Sequence, residues 1–390
     1  MKRTRSHTAC TTGAPKASAL LQLGALLGLV LAPAIALCQT SGTHAIDAGG
    51  WVDSEGKIRP GAVVVIAGGL ISQVGGEVPA GTPVDRYPTA LVCPGLIDCQ
   101  TTLGVVGALS EREKAIQPRV NARDAFNRFS SQLRAALEAG VTTFALAPND
   151  ENVVGGQIAI CQTAGPDGRP RVLVDTGPLK LSLSPDVLKT DREPTSRGGA
   201  IGLLRDTLDA AGSTGNKIED DPLAAFVSGR LPGIMTAPSG ADVLSALELA
   251  DAHHLKLALV HTHDARLVAE HVAGHATGVI VGPLSLTTGR RDALAAEMFA
   301  SRGVEVAIAG GLPDGPADSL RIGAAVATRA GLSPEAARRA ISVWESPPAI
   351  VSSVMTYRAR FISGIRPSGS GHCGQGPAGS GSRARRTMPS

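Results

Sequence analysis

His261 and His263 stand two residues apart at the end of an apolar run, Leu255-Lys256-Leu257-Ala258-Leu259-Val260. On an extended strand that spacing puts both imidazoles on one face. Such a pair can ligate a divalent metal or hold a substrate. Polar side chains hydrogen-bonded inside a pocket give the same pattern. His271 and His275 are spaced as on one face of a helix. His253-His254 fall where a helix ends, a position that favours a cation. Arg192, Glu193 and Arg197 can form a loop network or bind an anion. Gly155-Gly156-Gln157 can shape a substrate loop or serve turn geometry alone. No GxSxG, Walker or dinucleotide pattern occurs. Cys93, Cys99 and Cys161 show no zinc-type pairing and read as small buried side chains.

The elements that must position these residues alternate. Residues 44–52, 61–66 and 70–74 read as strands, the last two joined at Gly68-Gly69, and predict a small antiparallel unit. An amphipathic helix over 131–139, stopped by Gly140, leads to a buried strand over 141–146. Helices are expected over 222–227, 241–252, 292–302, 319–331 and 333–343, and strands over 255–261, 277–282 and 304–308. Ser333-Pro334-Glu335 is a strong helix start. This alternation over 390 residues predicts an α/β protein, a TIM-like (β/α) barrel.

The two ends differ from the body. Residues 1–36 combine basic residues, an apolar run and Ala34-Ile35-Ala36, the pattern of an export signal cleaved after Ala36. Leu37 before Cys38 speaks against lipidation there, and export to the periplasm or medium is the expected localisation. Residues 364–390 are rich in Gly, Ser, Pro and Arg and read as a disordered tail. The two ends hold eight of the 37 basic residues and no acids, which leaves 29 basic against 34 acidic groups in the body. A body of that sign gives no footprint for nucleic acid.

Pro94-Gly95-Leu96-Ile97-Asp98, Gly140-Val141-Thr142-Thr143, Gly155-Gly156-Gln157, Gly177-Pro178-Leu179-Lys180, Pro194-Thr195-Ser196-Arg197, Val260-His261-Thr262-His263 and Gly331-Leu332-Ser333-Pro334-Glu335-Ala336 occur in that order. The set resembles the imidazolonepropionase-like branch of the amidohydrolase superfamily. The resemblance implies hydrolysis of C–N bonds in small, often cyclic, amides. It also implies one or two divalent ions, zinc for example, at the carboxyl ends of the barrel strands, where they activate water. It sets a small β-sandwich domain over 42–92, a barrel over 93–345 and a return towards the β-domain over 346–363, which the tail leaves incomplete.

The chain departs from the family's pattern at its ligands. Gln100 and Thr102 stand at the His-x-His positions, and Gly310 or Gly311 stands where the family has an Asp. Lys180 matches a lysine that is carboxylated and bridges two metals in some relatives. His261 and His263 are the retained candidates for one zinc. Gln100, Thr102, Gln157, Lys180 and Arg197 are the candidates for substrate contact, and no catalytic residue is assigned. The expectation is an exported, metal-poor amidohydrolase-like chain that binds a small molecule or a partner subunit, either a second copy or a sister amidohydrolase chain. A mononuclear hydrolase on His261 and His263 is the alternative. A frameshifted, non-functional product is a third reading of the tail.

Overall fold

The structure, a computed structural model, describes residues 42–213, 221–261 and 263–343. The expected export signal over 1–36, the segment expected to return over 346–363 and the tail expected over 364–390 lie outside these residues. Among them no helix is long and apolar enough to cross a membrane.

Alternating burial builds the first sheet. Strand β1 (His44–Val52) runs antiparallel to β2 (Ile58–Ala67), with His44 opposite Ile66 and Val52 opposite Ile58. Strand β3 (Leu70–Val74) returns through Gly68 and Gly69, both at positive φ, the geometry a two-residue hairpin needs. Ile46, Ala48, Ala62, Val64 and Ile66 form its core. The expected all-antiparallel unit is in fact mixed. Strand β4 (Val84–Val92) pairs parallel with β1 and completes the order β3-β2-β1-β4. It is exposed almost throughout and carries Pro88, which an edge strand tolerates, so no hydrophobic period betrays it.

The body is a mixed α/β layer: most of its strand pairs are parallel, and the antiparallel pairs all involve strands between residues 154 and 174. Strand β5 (Leu96–Thr101), helix α1 (Ser131–Glu138) and β6 (Val141–Leu146) open it. Strands β7 (Val154–Gln157), β8 (Ala159–Gln162) and β9 (Arg171–Val174) follow. Then come β10 (Leu179–Ser182), α2 (Arg197–Ser213), α3 (Pro222–Val227), β11 (Gly233–Thr236), α4 (Gly240–His253) and β12 (Leu257–Val260). The chain continues through α5 (Ala265–His275), β13 (Gly278–Val281), α6 (Arg290–Ala293), α7 (Ala295–Ala300), β14 (Val306–Ile308), α8 (Ser319–Arg329) and α9 (Pro334–Ala340). One sheet has the order β5-β6-β8-β9 and the other β14-β13-β12-β11-β10-β7. The helix expected over 292–302 is two short ones that meet at Leu294. Helix α2 begins with Arg197 followed by Gly198 and Gly199, poor helix formers, and buries only Ala200, Leu204 and Leu208. Its stripe is therefore faint in the sequence.

Two cores sit on opposite faces of these strands. The outer core joins strand residues such as Leu181, Met235, Leu257 and Leu259 to the helices, with Phe144, Phe226 and Phe299 fully buried. Each of these rings contributes about 2 kcal/mol of apolar burial. The inner core is smaller-grained: Cys99, Ala145, Ile160, Ile234, Ala258, Ile280 and Ala307 come from strands of both sheets. Between β5 and β14 the join is made by side chains. The Gly310 amide donates to Asp98 Oδ1 at 3.1 Å, and Thr101 Oγ1 donates to Leu312 O at 2.5 Å. A continuous closed ladder of strands is not formed among the described residues.

Candidate functional site

Lys180 is a fully buried charged side chain on the inner face. It stands in register with Ile234 of β11, which in turn pairs with Ala258 of β12, both in the inner core. Its side chain is 1% exposed. An ammonium at that depth needs a counter-charge and hydrogen-bond acceptors. Asp150 supplies the charge, with Oδ1 at 2.5 Å, and Thr236 Oγ1 accepts at 2.5 Å. Asp150 follows the carboxyl end of β6 and Thr236 ends β11, so the cluster forms where strands of this kind present functional groups. Sequence reading missed Asp150. The signal was available: a buried lysine requires an acid, and Pro148-Asn149-Asp150 leaves a buried strand.

Gly155 and Gly156 let this cluster close. Gly156 has φ +121, and a Cβ there would lie 2.4 Å from Val120 O. The glycine pair thus admits the 117–121 segment, on which Gln157 is spent: its amide donates to Val120 O, and its Nε2 donates to Pro118 O. Gly156→Ala is expected to destabilise the protein by about 2 kcal/mol, read from the midpoint of chemical unfolding. An unchanged midpoint would mean that the segment yields freely.

His261 and His263 do not share a face. Strand β12 ends at Val260, and Leu259, two residues before His261, belongs to the outer core. His261 follows that parity. It is 2% exposed and lies edge-on to Phe299 of α7, with ring centroids 6.2 Å apart. Its Nδ1 donates to Ala237 O at 2.5 Å, which leaves Nε2 as a buried acceptor without a partner. Burial holds this imidazole below its ordinary pKa, against the opposing pull of the Ala237 carbonyl. His263 is 58% exposed and pairs with Asp292 of α6, Nδ1 to Oδ1 3.0 Å. The two histidines therefore do not converge on one ion.

The remaining candidates are dispersed. Gln100 is half-buried and its Oε1 has no hydrogen-bond partner. Thr102 donates its amide to Leu312 O at 3.3 Å. Arg197 opens α2 and reaches Asp242 Oδ1 at 2.6 Å and Ser245 of α4. Arg192 forms the expected loop network, donating to Glu151 O and Asn152 Oδ1. His254 caps α4 in the left-handed region, as its place at the helix end suggests.

Gly310 has a packing reason. A Cβ there would lie 2.8 Å from Asp98 Oδ2 and 2.9 Å from Ser319 Oγ. Both oxygens are buried and neither has a hydrogen-bond partner among the described residues. The Asp98 carboxylate thus reaches into the space where a longer side chain would begin. Burial pushes its pKa up to about 7, against hydrogen bonds from the amides of Gly310, Gln100 and Leu312.

A solved structure of an amidohydrolase from Thermotoga maritima MSB8 superposes on this chain with a TM-score of 0.67. It is 20% identical, over 75% of this chain and 85% of that one. The fold is that of an amidohydrolase. A putative prolidase from Bifidobacterium longum aligns over 83% of this chain and 87% of its own, at 16% identity and a TM-score of 0.46. N-isopropylammelide isopropylaminohydrolase from Burkholderia multivorans ATCC 17616 aligns over 76% and 85%, at 16% and 0.41. No family model and no curated protein matches the chain.

The divalent metal that the amidohydrolase resemblance implies does not fit these side chains. Among the described residues no three His, Cys, Asp or Glu side chains converge on a point. Lys180 is engaged as an ammonium, His261 faces the helix layer and the space at Gly310 is taken by Asp98.

Proposed function

We propose that this protein is an exported member of the amidohydrolase superfamily that binds a small molecule without hydrolysing a C–N bond. The observation that carries this reading is the state of Lys180. Its Nζ lies 2.5 Å from both Asp150 Oδ1 and Thr236 Oγ1 at 1% exposure. An ammonium paired with a carboxylate must lose its proton and leave that partner before it can add carbon dioxide, so the pairing opposes formation of the carbamate that bridges metals. The ammonium repels a divalent cation from the same place. With Gln100 and Thr102 at the His-x-His positions and glycine at 310 and 311, the ligands that the resemblance implies for holding and activating water are replaced. The small-molecule site is placed beside this cluster, at the carboxyl ends of the strands, on the precedent of such folds.

The test is turnover of cyclic amides and acyl dipeptides by the purified chain with zinc added. The expected result is no release of amine above buffer. Hydrolysis that disappears in His263→Ala would overturn the proposal in favour of a mononuclear hydrolase.

A further inference from the structure

A second feature lies outside the strand ends, on the helical surface. A cavity of about 500 Å³ is lined by Arg266 and Leu267 of α5, Arg290 and Arg291 of α6, and Leu294 and Met298. A second, of about 370 Å³, is also lined by Arg290, together with Val326, Arg329 and Ala330. Arg290 lines both, so the two adjoin. The four arginines are exposed. Arg291 is paired with Asp264, while Arg266, Arg290 and Arg329 have no carboxylate partner among the described residues.

The cleft wall is built deliberately. Segment 263–264 and α6 are cross-linked twice, by His263 to Asp292 and by Arg291 to Asp264. These pairs engage Asp264 and Asp292, and Arg266, Arg290 and Arg329 remain without a carboxylate partner among the described residues. Between them lies apolar surface. Leu294 stands where α6 meets α7, Met298 lies four residues on in α7, and Leu267 is 68% exposed.

We infer that this cleft binds an acidic segment of a partner protein, one that carries leucine-like side chains between its carboxylates. The charge fits: three unpaired guanidiniums are offered by a body that is otherwise acidic. The apolar walls between them suit side chains of an amphipathic segment. Nucleic acid fits less well, because no aromatic residue lines either cavity and bases have nothing to stack on. The role is separate from the strand ends and does not depend on what they bind.

The test uses the full chain and a fluorescein-labelled peptide of alternating glutamate and leucine residues, read by fluorescence anisotropy. Saturable binding is expected, weakened by added salt. Arg290→Glu should weaken it by about tenfold or more, since this side chain serves both cavities. Arg329→Glu, on a different helix, should weaken it by a smaller factor and guards against misfolding of the first variant. Arg119→Glu, exposed elsewhere, should leave it unchanged. The inference is overturned by absence of binding, by equal binding of the glutamine-for-glutamate peptide, or by Arg290→Glu and Arg329→Glu binding like the parent. It is also overturned if a single-stranded oligonucleotide binds more tightly than the peptide. Self-association of the parent that is lost in Arg290→Glu would assign the cleft to a second copy instead.

Discussion

Asp150→Ala is expected to lower the unfolding free energy by about 3 kcal/mol, read from urea denaturation at neutral pH. The reason is the partner it abandons. Lys180 Nζ would keep the Thr236 hydroxyl and a weaker contact to Leu181 O at 3.4 Å, but no counter-charge, in an environment that excludes water. Breaking one half of a buried pair is far worse than removing both halves. Adding Lys180→Met to Asp150→Ala should therefore recover part of the loss, because an apolar chain of similar length fills the same space among Ile234 and Ala258. The coupling between the two positions is the quantity to extract. A carboxylated Lys180 makes the opposite forecast. It would be an anion beside Asp150, and removing Asp150 would relieve repulsion and stabilise the protein.

Asp98→Asn is expected to stabilise the protein above neutral pH and to do little near pH 4. The Asp98 carboxyl is fully buried, and burial raises its pKa from 3.8 to about 7. In the unfolded chain it ionises near 3.8. Between these two values the folded chain holds a proton that the unfolded chain has released. Stability therefore falls as pH rises through this window, and the loss is complete above about 7. The shift corresponds to roughly 4 kcal/mol, an upper figure for a site that can relax. Asparagine keeps an acceptor for the Gly310 amide. It also brings a neutral donor to a space where Ser319 Oγ lacks a partner. The difference in melting temperature between variant and parent should widen from acid to alkaline pH. A difference that stays constant across this range would show that Asp98 is not a buried, titrating group.

The sequence was informative where local pattern and local chemistry agree. Residues 44–52, 70–74, 141–146 and 222–227 are bounded as their alternation, turn residues and caps indicate. In the last, Asp221 accepts from the Leu223 amide ahead of Pro222. What stayed hidden is non-local. Strand β4 is held by backbone pairing to β1 and shows no buried face. The facing of His261 depends on one residue of parity in β12: had Leu259 turned inward, the imidazole would have followed it. Lys180 was recognised by resemblance, whereas its counter-ion lies thirty residues earlier and had to be seen in place. The lack of a carboxylate at 310 or 311 is legible, but the Asp98 side chain that fills the space at Gly310 is not. The sequence leaves Arg197 open between a loop network and an anion contact; in the structure it opens α2 and fastens it to α4 through Asp242.

The most direct measurement is the metal content of the full chain, purified without chelator and read by inductively coupled plasma mass spectrometry. A chain whose lysine is paired as an ammonium and whose histidines face apart should hold far less than about one divalent ion per molecule, and His261→Ala should not change the content. About one zinc per chain, lost in both His261→Ala and His263→Ala, would contradict the reading of this site as non-hydrolytic.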